Sequence, residues 1–449
     1  MIKTQNIKYS LICVLFIVSV IANAQNGHWS YKQCVKHAIE NNIELKKLKL
    51  LKENKEVIFN ASKYNQLPNL TGGLNEDFDF GRSPSKDGTI KDQSATTTYA
   101  YLQTSMPVFT GLRIKRDKEA KEMDLYASTE GLYKAEDDLT VRILSYYMQI
   151  ILNKELQKVA GMQVKICREQ VSRIEKMVDL KKVANTQLYD IKAQLAIDEV
   201  TLTKSINNVE LSLLSLMQLL NIDDIDNSFD IVTPELDDNT FPEDDFYLSP
   251  NDIYHYAVYT KPIVKEQEFL LESAHKSLLV AKAGYSPQIN LNASYNTYYY
   301  HYTGNDNNVA FADQFSQNAR KTISLTLYVP IFNRFQTRSN IKSAHIAVLN
   351  QQLAVESAKQ TLYNEIRQAY ANTVTSRETF ISISKATISS KKKFEQIEER
   401  YQVGKATMLE YNEAKTNYFQ SLSEQTQAKF DYIFRSKILD FYNGVQIKL

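Results

Sequence analysis

The chain has 449 residues, 43% hydrophobic and 23% charged, and its 53 Lys and Arg are balanced by 52 Asp and Glu. That balance excludes the basic excess a nucleic-acid partner requires. A Walker A loop and the G-x-S-x-G, H-E-x-x-H and C-x-x-C motifs are all missing, the six His stand singly and the eight Met are dispersed, so the sequence supports no enzymatic chemistry, metal or cofactor.

At the N-terminus, Lys3 and Lys8 precede an apolar run from Leu11 to Ala22 that closes in Ala22-Asn23-Ala24. A positive flank, a short apolar core and an A-x-A site predict a secretory signal over 1–24, cleaved before Gln25. The run is about a dozen residues, short of the ~20 a membrane span needs. Cys13 lies inside this signal without the small residue that precedes a lipid-attachment cysteine. Cys34 and Cys167 remain; they could pair, but both sit in helical patterns that favour buried, unpaired thiols.

The rest of the chain reads as one unit written twice. A shift of 219 positions places Ala38 on Ala257, Lys63 on Lys282 and Pro68 on Pro287, and a shift of 223 places Pro107-Val108-Phe109 on Pro330-Ile331-Phe332. At 221, Thr186, Leu188 and Ala193 fall on Thr407, Leu409 and Ala414. The predicted domains are therefore a first repeat over 25–220, an acidic linker over 221–250 and a second repeat over 251–449.

Each repeat is expected to run helix, strand, strand, long helix, turn, helix. The first helical segments cover Trp29 to Tyr64 and Asn251 to Ala283, followed by Pro68 and Pro287 and strand pairs at 69–108 and 288–330. The long segments, Leu112 to Leu180 and Asn340 to Val403, contain no proline, and a continuous helix of about 70 residues would be on the order of 100 Å long. Turns near 183–186 and 403–407 lead into helices from Thr186 and Thr407. Two end-to-end pieces of about 35 residues match one long helix, predicting antiparallel coiled-coil packing. The apolar stripes Ile341, Ala344, Val348, Val355, Ala358, Leu362, Ile366, Ala369 and Leu132, Ala135, Leu139, Ile143, Tyr146, Ile150 step by threes, fours and sevens, the spacing of such a seam.

The strands alternate. Ile289, Leu291, Ala293 and Tyr295 oppose Asn290, Asn292, Ser294 and Asn296, and Ile323, Leu325, Leu327 and Val329 oppose Thr322, Ser324, Thr326 and Tyr328. One apolar and one uncharged polar face is the pattern of a membrane barrel with a wet lumen, against a soluble sandwich half. Tyr298, Tyr299, Tyr300 and Tyr302, with Tyr99 and Tyr101, suggest an interfacial girdle; Glu76 interrupts the apolar row after Leu70, Gly72 and Leu74. Four strands cannot close a barrel, so closure requires several chains, and three, giving twelve strands, form the smallest assembly with room for a channel. Between the repeats, a short strand is expected at Phe229 to Val232.

The duplication, the Pro-x-Phe strand exits, the pre-strand prolines and the tip stretch Tyr401-Gln402-Val403-Gly404-Lys405-Ala406-Thr407 together resemble the TolC-type outer-membrane factor family over nearly the whole mature chain. The resemblance implies an α+β membrane protein whose homotrimer forms a 12-stranded barrel continued by an α-helical periplasmic tunnel. It implies an outer-membrane duct of a tripartite efflux pump or type I secretion system, working with a periplasmic adaptor, an inner-membrane pump and outer-membrane lipid. The channel entrance would then lie at the hairpin tips, at Tyr401, Gly404, Thr407, Glu410, Glu413 and Gln187, and Pro68, Pro107, Phe109, Pro287, Pro330 and Phe332 would mark strand entries and exits. Gly404 suits a left-handed reversal; the first repeat has Val183 there, and its turn is expected to use Asn185. Thr407-Met408-Leu409-Glu410 spells a capping box, leaving Glu413 as the pore carboxylate, with the ring of carboxylates raising one another's pKa. The Arg–Asp tip latch of some family members falls on Ala406 and Gln187, so a closed tip would rest on Tyr401 and packing. The competing reading is a secreted or periplasmic coiled-coil scaffold without a channel.

Overall fold

The computed structural model describes residues 28–84, 88–92, 94–222, 229–234, 248–303 and 308–447. The predicted signal over 1–24 and most of the acidic linker lie outside the described residues. The chain divides into two units, one of 1–49, 131–263 and 359–449, the other of 50–130 and 264–358. The elements are β1 (His28–Trp29), α1 (Tyr31–Asn41), α2 (Ile43–Lys63), β2 (Asn69–Asp79), β3 (Arg82–Pro84), β4 (Ile90–Asp92), β5 (Ala95–Phe109), α3 (Arg113–Asp179) and α4 (Asn185–Leu220). There follow β6 (Asp230–Ile231), α5 (Pro250–Thr260), α6 (Pro262–Lys282), β7 (Gln288–Tyr302), α7 (Phe311–Gln317), β8 (Arg320–Tyr328), α8 (Gln336–Gln402) and α9 (Met408–Tyr442).

The two long helices, α3 and α8, are 67 residues each, and Gly131 and Gly161 do not interrupt the first. The segments expected as single helices at 29–64 and 251–283 are each broken in two. Asn42 has extended backbone, and its side-chain oxygen accepts from the backbone N–H of Glu44 at 3.0 Å and Leu45 at 3.2 Å, starting α2 afresh. Lys261 is extended because Pro262 follows it. The N–H groups of Asn42 and Lys261 donate to Ala38 and Ala257, both at 2.8 Å, so the breaks fall at corresponding places.

In the first unit the core gathers Tyr31, Cys34, Ala38, Leu132, Leu139, Ile143, Leu144, Tyr147, Ile150, Leu216 and Leu220 around β1 and β6. These two strands pair in parallel, His28 with Asp230 and Trp29 with Ile231; β6 lies within the stretch expected to hold a strand, whereas Trp29, expected to open a helix, is in β1. Tyr147 donates to the Val232 carbonyl at 2.5 Å. It is Tyr147, not Tyr146, that takes the core position, and Tyr146 is exposed; the threes and fours of the stripe allow either neighbour. Cys34 and Cys167 are free, fully buried and in different clusters. Burial pushes the Cys34 thiol up to about 12 and that of Cys167 up to about 11. Both are therefore expected to resist a disulfide reagent at pH 8 in the native protein and to react once guanidinium unfolds it. Reaction of the native thiols at the rate of free cysteine would contradict this.

The second unit holds a four-stranded antiparallel sheet in the order β2-β5-β7-β8. Residues paired across the ladder share a face. One row therefore joins Leu70, Thr104, Ala293 and Ile323, and the rows beside it join Met106, Leu291 and Leu325, and Gly72, Leu102, Tyr295 and Lys321. The opposite face carries Thr71, Gln103, Ser294 and Thr322 in one row and Ser105, Asn292 and Ser324 in the next. Leu70, Ile323 and Leu325 are 69%, 79% and 67% exposed, so these rows of the apolar face are uncovered in the single chain. Among the described residues no helix is long and apolar enough to cross a membrane.

The tyrosine girdle is not a single band. Register puts Tyr298, Tyr300 and Tyr302 on the polar face with Tyr99 and Tyr101, whereas Tyr299 joins Tyr295 on the other. Neighbours in a strand point oppositely, so a run of consecutive tyrosines cannot line one surface.

Candidate functional site at the helical hairpin tips

The tip of the second hairpin is closed by backbone hydrogen bonds. Gly404 has a φ of 74°, and the N–H groups of Gly404 and Lys405 donate to Tyr401 at 3.1 Å and Arg400 at 2.8 Å, a Schellman closure. A Cβ at Gly404 would meet open space, so backbone conformation alone calls for glycine there.

Thr407 then starts α9 with a complete capping box: its hydroxyl accepts from the Glu410 N–H at 3.2 Å while its own N–H donates to the Glu410 carboxylate at 2.7 Å. These bonds from Thr407 hold the Glu410 carboxyl below its ordinary pKa. Within the single chain, hydrogen bonds to the charged form dominate at this carboxyl. Glu413 is exposed in the next turn.

The first tip reverses over Leu180–Ala184 and reaches the same closure without glycine. Lys181 has a φ of 57°, and the N–H groups of Lys181 and Lys182 donate to Val178 and Met177, both at 2.8 Å. Neither Val183 nor Asn185 takes the left-handed position of this turn; Val183 packs against a buried cluster and Asn185 opens α4. Lys181 lies 223 positions before Gly404, and the same spacing separates the left-handed residues Gly111 and Leu112 from Arg334 and Phe335. At this spacing Ala184, which gives α4 no side-chain cap, matches Thr407, and Gln187 matches Glu410. Replacing Lys181 with glycine is expected to stabilise the tip by about 1 kcal/mol, since a left-handed non-glycine residue is strained. Slower protease nicking at the tip would report this gain, and unchanged nicking would count against it.

Tyr401 is half-buried, its ring stacked 4.9 Å from that of the fully buried Tyr411 in its own hairpin. Burial pushes its phenol above the ordinary range, against the nearby Arg173 guanidinium. Arg173, near the end of α3, donates to the Gln402 carbonyl at 3.1 Å. Met408 packs against two clusters, one of Cys167, Val171, Ile174 and Ile191, the other of Phe394, Tyr411 and Ala414. The two hairpins are thus tied at their ends by the Arg173 bond to the Gln402 carbonyl and by the shared Met408.

Above the tips lies an ion pair that the sequence reading missed. Lys415 of α9 donates to Asp198 of α4 at 2.9 Å, with 0% and 1% of the two side chains exposed. The other carboxylate oxygen accepts from the amides of Gln163 at 2.8 Å and Gln194 at 2.9 Å. Lys415 follows Tyr411 and Ala414 on the buried side of its helix and Asp198 continues the spacing of Ile191. A lysine and an aspartate of opposite charge at core positions of two helices was the available signal.

The remaining expected residues lie in the other unit. Pro68 and Pro287 directly precede β2 and β7. Pro107 sits at a bulge where β5 shifts register between Pro107 and Phe109, a place where its missing N–H costs no ladder bond. Pro330 and Phe332 follow the end of β8, and Phe332 packs edge-on to Phe335 with centroids 5.5 Å apart.

Residues 254–441 match the family described as outer membrane efflux protein. The outer membrane protein TolC of Salmonella enteritidis is 21% identical over 446 residues, covering 95% of this chain and 83% of that one. Among solved structures, CusC, studied for the conformational changes of its folding and transmembrane channel formation, superposes with a TM-score of 0.79 at 16% identity over 93% of this chain and 92% of its own. The Campylobacter jejuni CmeC outer membrane channel gives 0.77 at 16% identity over 92% and 85%. The structural likeness at these identities establishes the fold.

Proposed function

We propose that this chain, whose residues 254–441 match the outer membrane efflux protein family, is the outer-membrane exit duct of a tripartite efflux pump or type I secretion system. Three copies close a 12-stranded barrel whose polar face lines a lumen, and their helices continue it as a tunnel in the periplasm. A periplasmic adaptor and an inner-membrane pump deliver cargo to it. The carrying observation is the sheet itself: four strands with two unpaired edges, one exposed face of leucine and isoleucine and one of serine, threonine and asparagine. Open edges cannot lie in lipid, and twelve strands leave a channel where eight would be filled by side chains. The test is extraction from outer membranes and light scattering in detergent, followed by planar-bilayer recording. Trimers that conduct are expected; a folded monomer that never inserts overturns the proposal.

In this reading the entrance is formed by Tyr401, Gly404, Thr407, Glu410, Glu413 and Gln187. Glu410 serves its helix as a cap and Glu413 faces the ions. Glu413→Ala is expected to lower cation selectivity, with Glu410→Ala leaving selectivity near wild type and loosening the start of α9 instead. Bilayer reversal potentials and hydrogen exchange over 408–411 read the two effects, and identical behaviour of both variants would defeat the assignment. The cap also has a pH signature. A carboxyl held below its unfolded value stabilises above the ordinary carboxylate range and loses that contribution as pH falls through the folded value. Exchange at 408–411 is therefore expected to quicken on acidification in wild type and to lose that dependence in Glu410→Ala.

A further inference from the structure

The tyrosines that the ladder moves off the apolar face form a patch of their own. On the polar face, successive rows join Asp79, Ala95 and Tyr302; Asp77, Thr97 and Tyr300; Asn75, Tyr99 and Tyr298; and Gly73, Tyr101 and Asn296. Tyr298 and Tyr300 meet edge to face at 5.1 Å, Tyr300 and Tyr302 lie nearly parallel at 6.4 Å, and Tyr99 and Tyr101 are 5.7 Å apart. Gly73 makes room for the pair: a Cβ there would lie 2.6 Å from the Tyr101 ring. Asn296 donates to the Tyr99 hydroxyl at 3.3 Å.

Beyond Asn296 the strand beneath these rings keeps β5 on one edge and has no strand on the other. Pairing with β8 stops at Asn296, and three side-chain amides take over the free edge of β7. Asn318 donates to the Tyr298 carbonyl at 2.8 Å. Gln314 accepts from the Tyr300 N–H at 3.1 Å and donates to its carbonyl at 2.8 Å, and Asn308 does the same for Tyr302 at 3.1 and 2.8 Å. Helix α7 covers the other face, where Thr297 donates to the Phe315 carbonyl at 2.6 Å and Phe311 packs on Tyr299 at 5.0 Å. One side of this strand end is therefore filled and fixed, and the tyrosine side is left open, with Tyr298 and Tyr300 each 39% exposed.

We propose that this patch is a binding site for planar aromatic cations, placed at the loop end of the sheet where cargo leaves the lumen. The inference rests on the duct reading for its position. Ring faces held at fixed spacing offer stacking and cation–π attraction with little side-chain ordering to oppose it. The charge suits a cation: Asp77 and Asp79 belong to the upper rows, and the cationic side chain on this face among the described rows is Arg320, opposite Asn296 at their lower limit.

The test uses ethidium as the probe, by fluorescence titration of the detergent-solubilised protein and by block of ion current when it is added from the loop side. Tyr298→Ser/Tyr300→Ser is expected to weaken both binding and block about tenfold, and Asp77→Asn/Asp79→Asn severalfold, while Tyr299→Ser on the opposite face leaves both near wild type. Equal ethidium affinity in wild type and Tyr298→Ser/Tyr300→Ser, or an equal loss in Tyr299→Ser, overturns the site. Absence of any conductance in the wild type would instead count against the duct, and the titration would still decide the site.

Discussion

Replacing Lys415 with methionine is expected to destabilise the paired hairpins by about 3–5 kcal/mol, the cost of leaving one member of a buried ion pair without its partner. Asp198 would keep its two glutamine amides but lose its ammonium partner, at a site 1% exposed. Asp198→Asn has the converse fault, an ammonium with no carboxylate. A Lys415→Leu/Asp198→Leu double variant removes both charges and is expected to regain most or all of the loss, since apolar packing often matches a buried pair. Because a membrane assembly does not unfold in one step, the suitable readout is hydrogen exchange along α4 and α9. Both single variants should exchange faster there and the double variant should not. Singles indistinguishable from wild type would show that the pair contributes nothing to holding the hairpins together. The pair joins one helix of each hairpin, so any movement of one hairpin against the other must break it or carry it along.

Gly111→Ala is expected to be the most damaging single-methyl change in the sheet unit. Gly111 has a φ of 61° between β5 and α3, and a Cβ there would lie 2.2 Å from the Cβ of Ser286. Two penalties of about 1–3 kcal/mol each apply, one for the left-handed backbone and one for overpacking. Ser286→Gly in the same chain should relieve the second and leave the first, giving partial rescue. Folded yield and urea resistance in detergent would show the order wild type, double variant, single variant; wild-type resistance of Gly111→Ala would refute the argument. By contrast Gly404→Ala, with open space around it, carries only the backbone penalty.

The architecture was legible because its signals are repetitive. Alternation in β7 and β8, the prolines before strands and the long proline-free runs each say the same thing twice. Where legibility failed, a local choice overrode the period. Asn42 and Lys261 sit in segments whose apolar spacing continues past them, and the breaks come from a side-chain cap and a following proline. Lys181 adopts a conformation its residue type disfavours, because the surrounding helices fix the turn. The clustered tyrosines form no single girdle because strand geometry sends neighbours to opposite faces. At the tips, the Thr407 to Glu410 cap was readable as a motif. The Lys415 to Asp198 pair needs two positions 217 apart to be brought together, which no local pattern encodes.

The helices of the two hairpins match closely in length, 67 residues in α3 and α8 and 36 and 35 in α4 and α9. Their seams repeat every seven residues, so a helix can gain or lose length without rotating its apolar stripe only in steps of about 10 Å, one heptad at a time. Such a step in one helix would draw its tip turn away from the other hairpin and separate Arg173 from Gln402. Lengthening this protein is therefore quantised and concerted: a heptad must enter all four helices, at matching depth, or none.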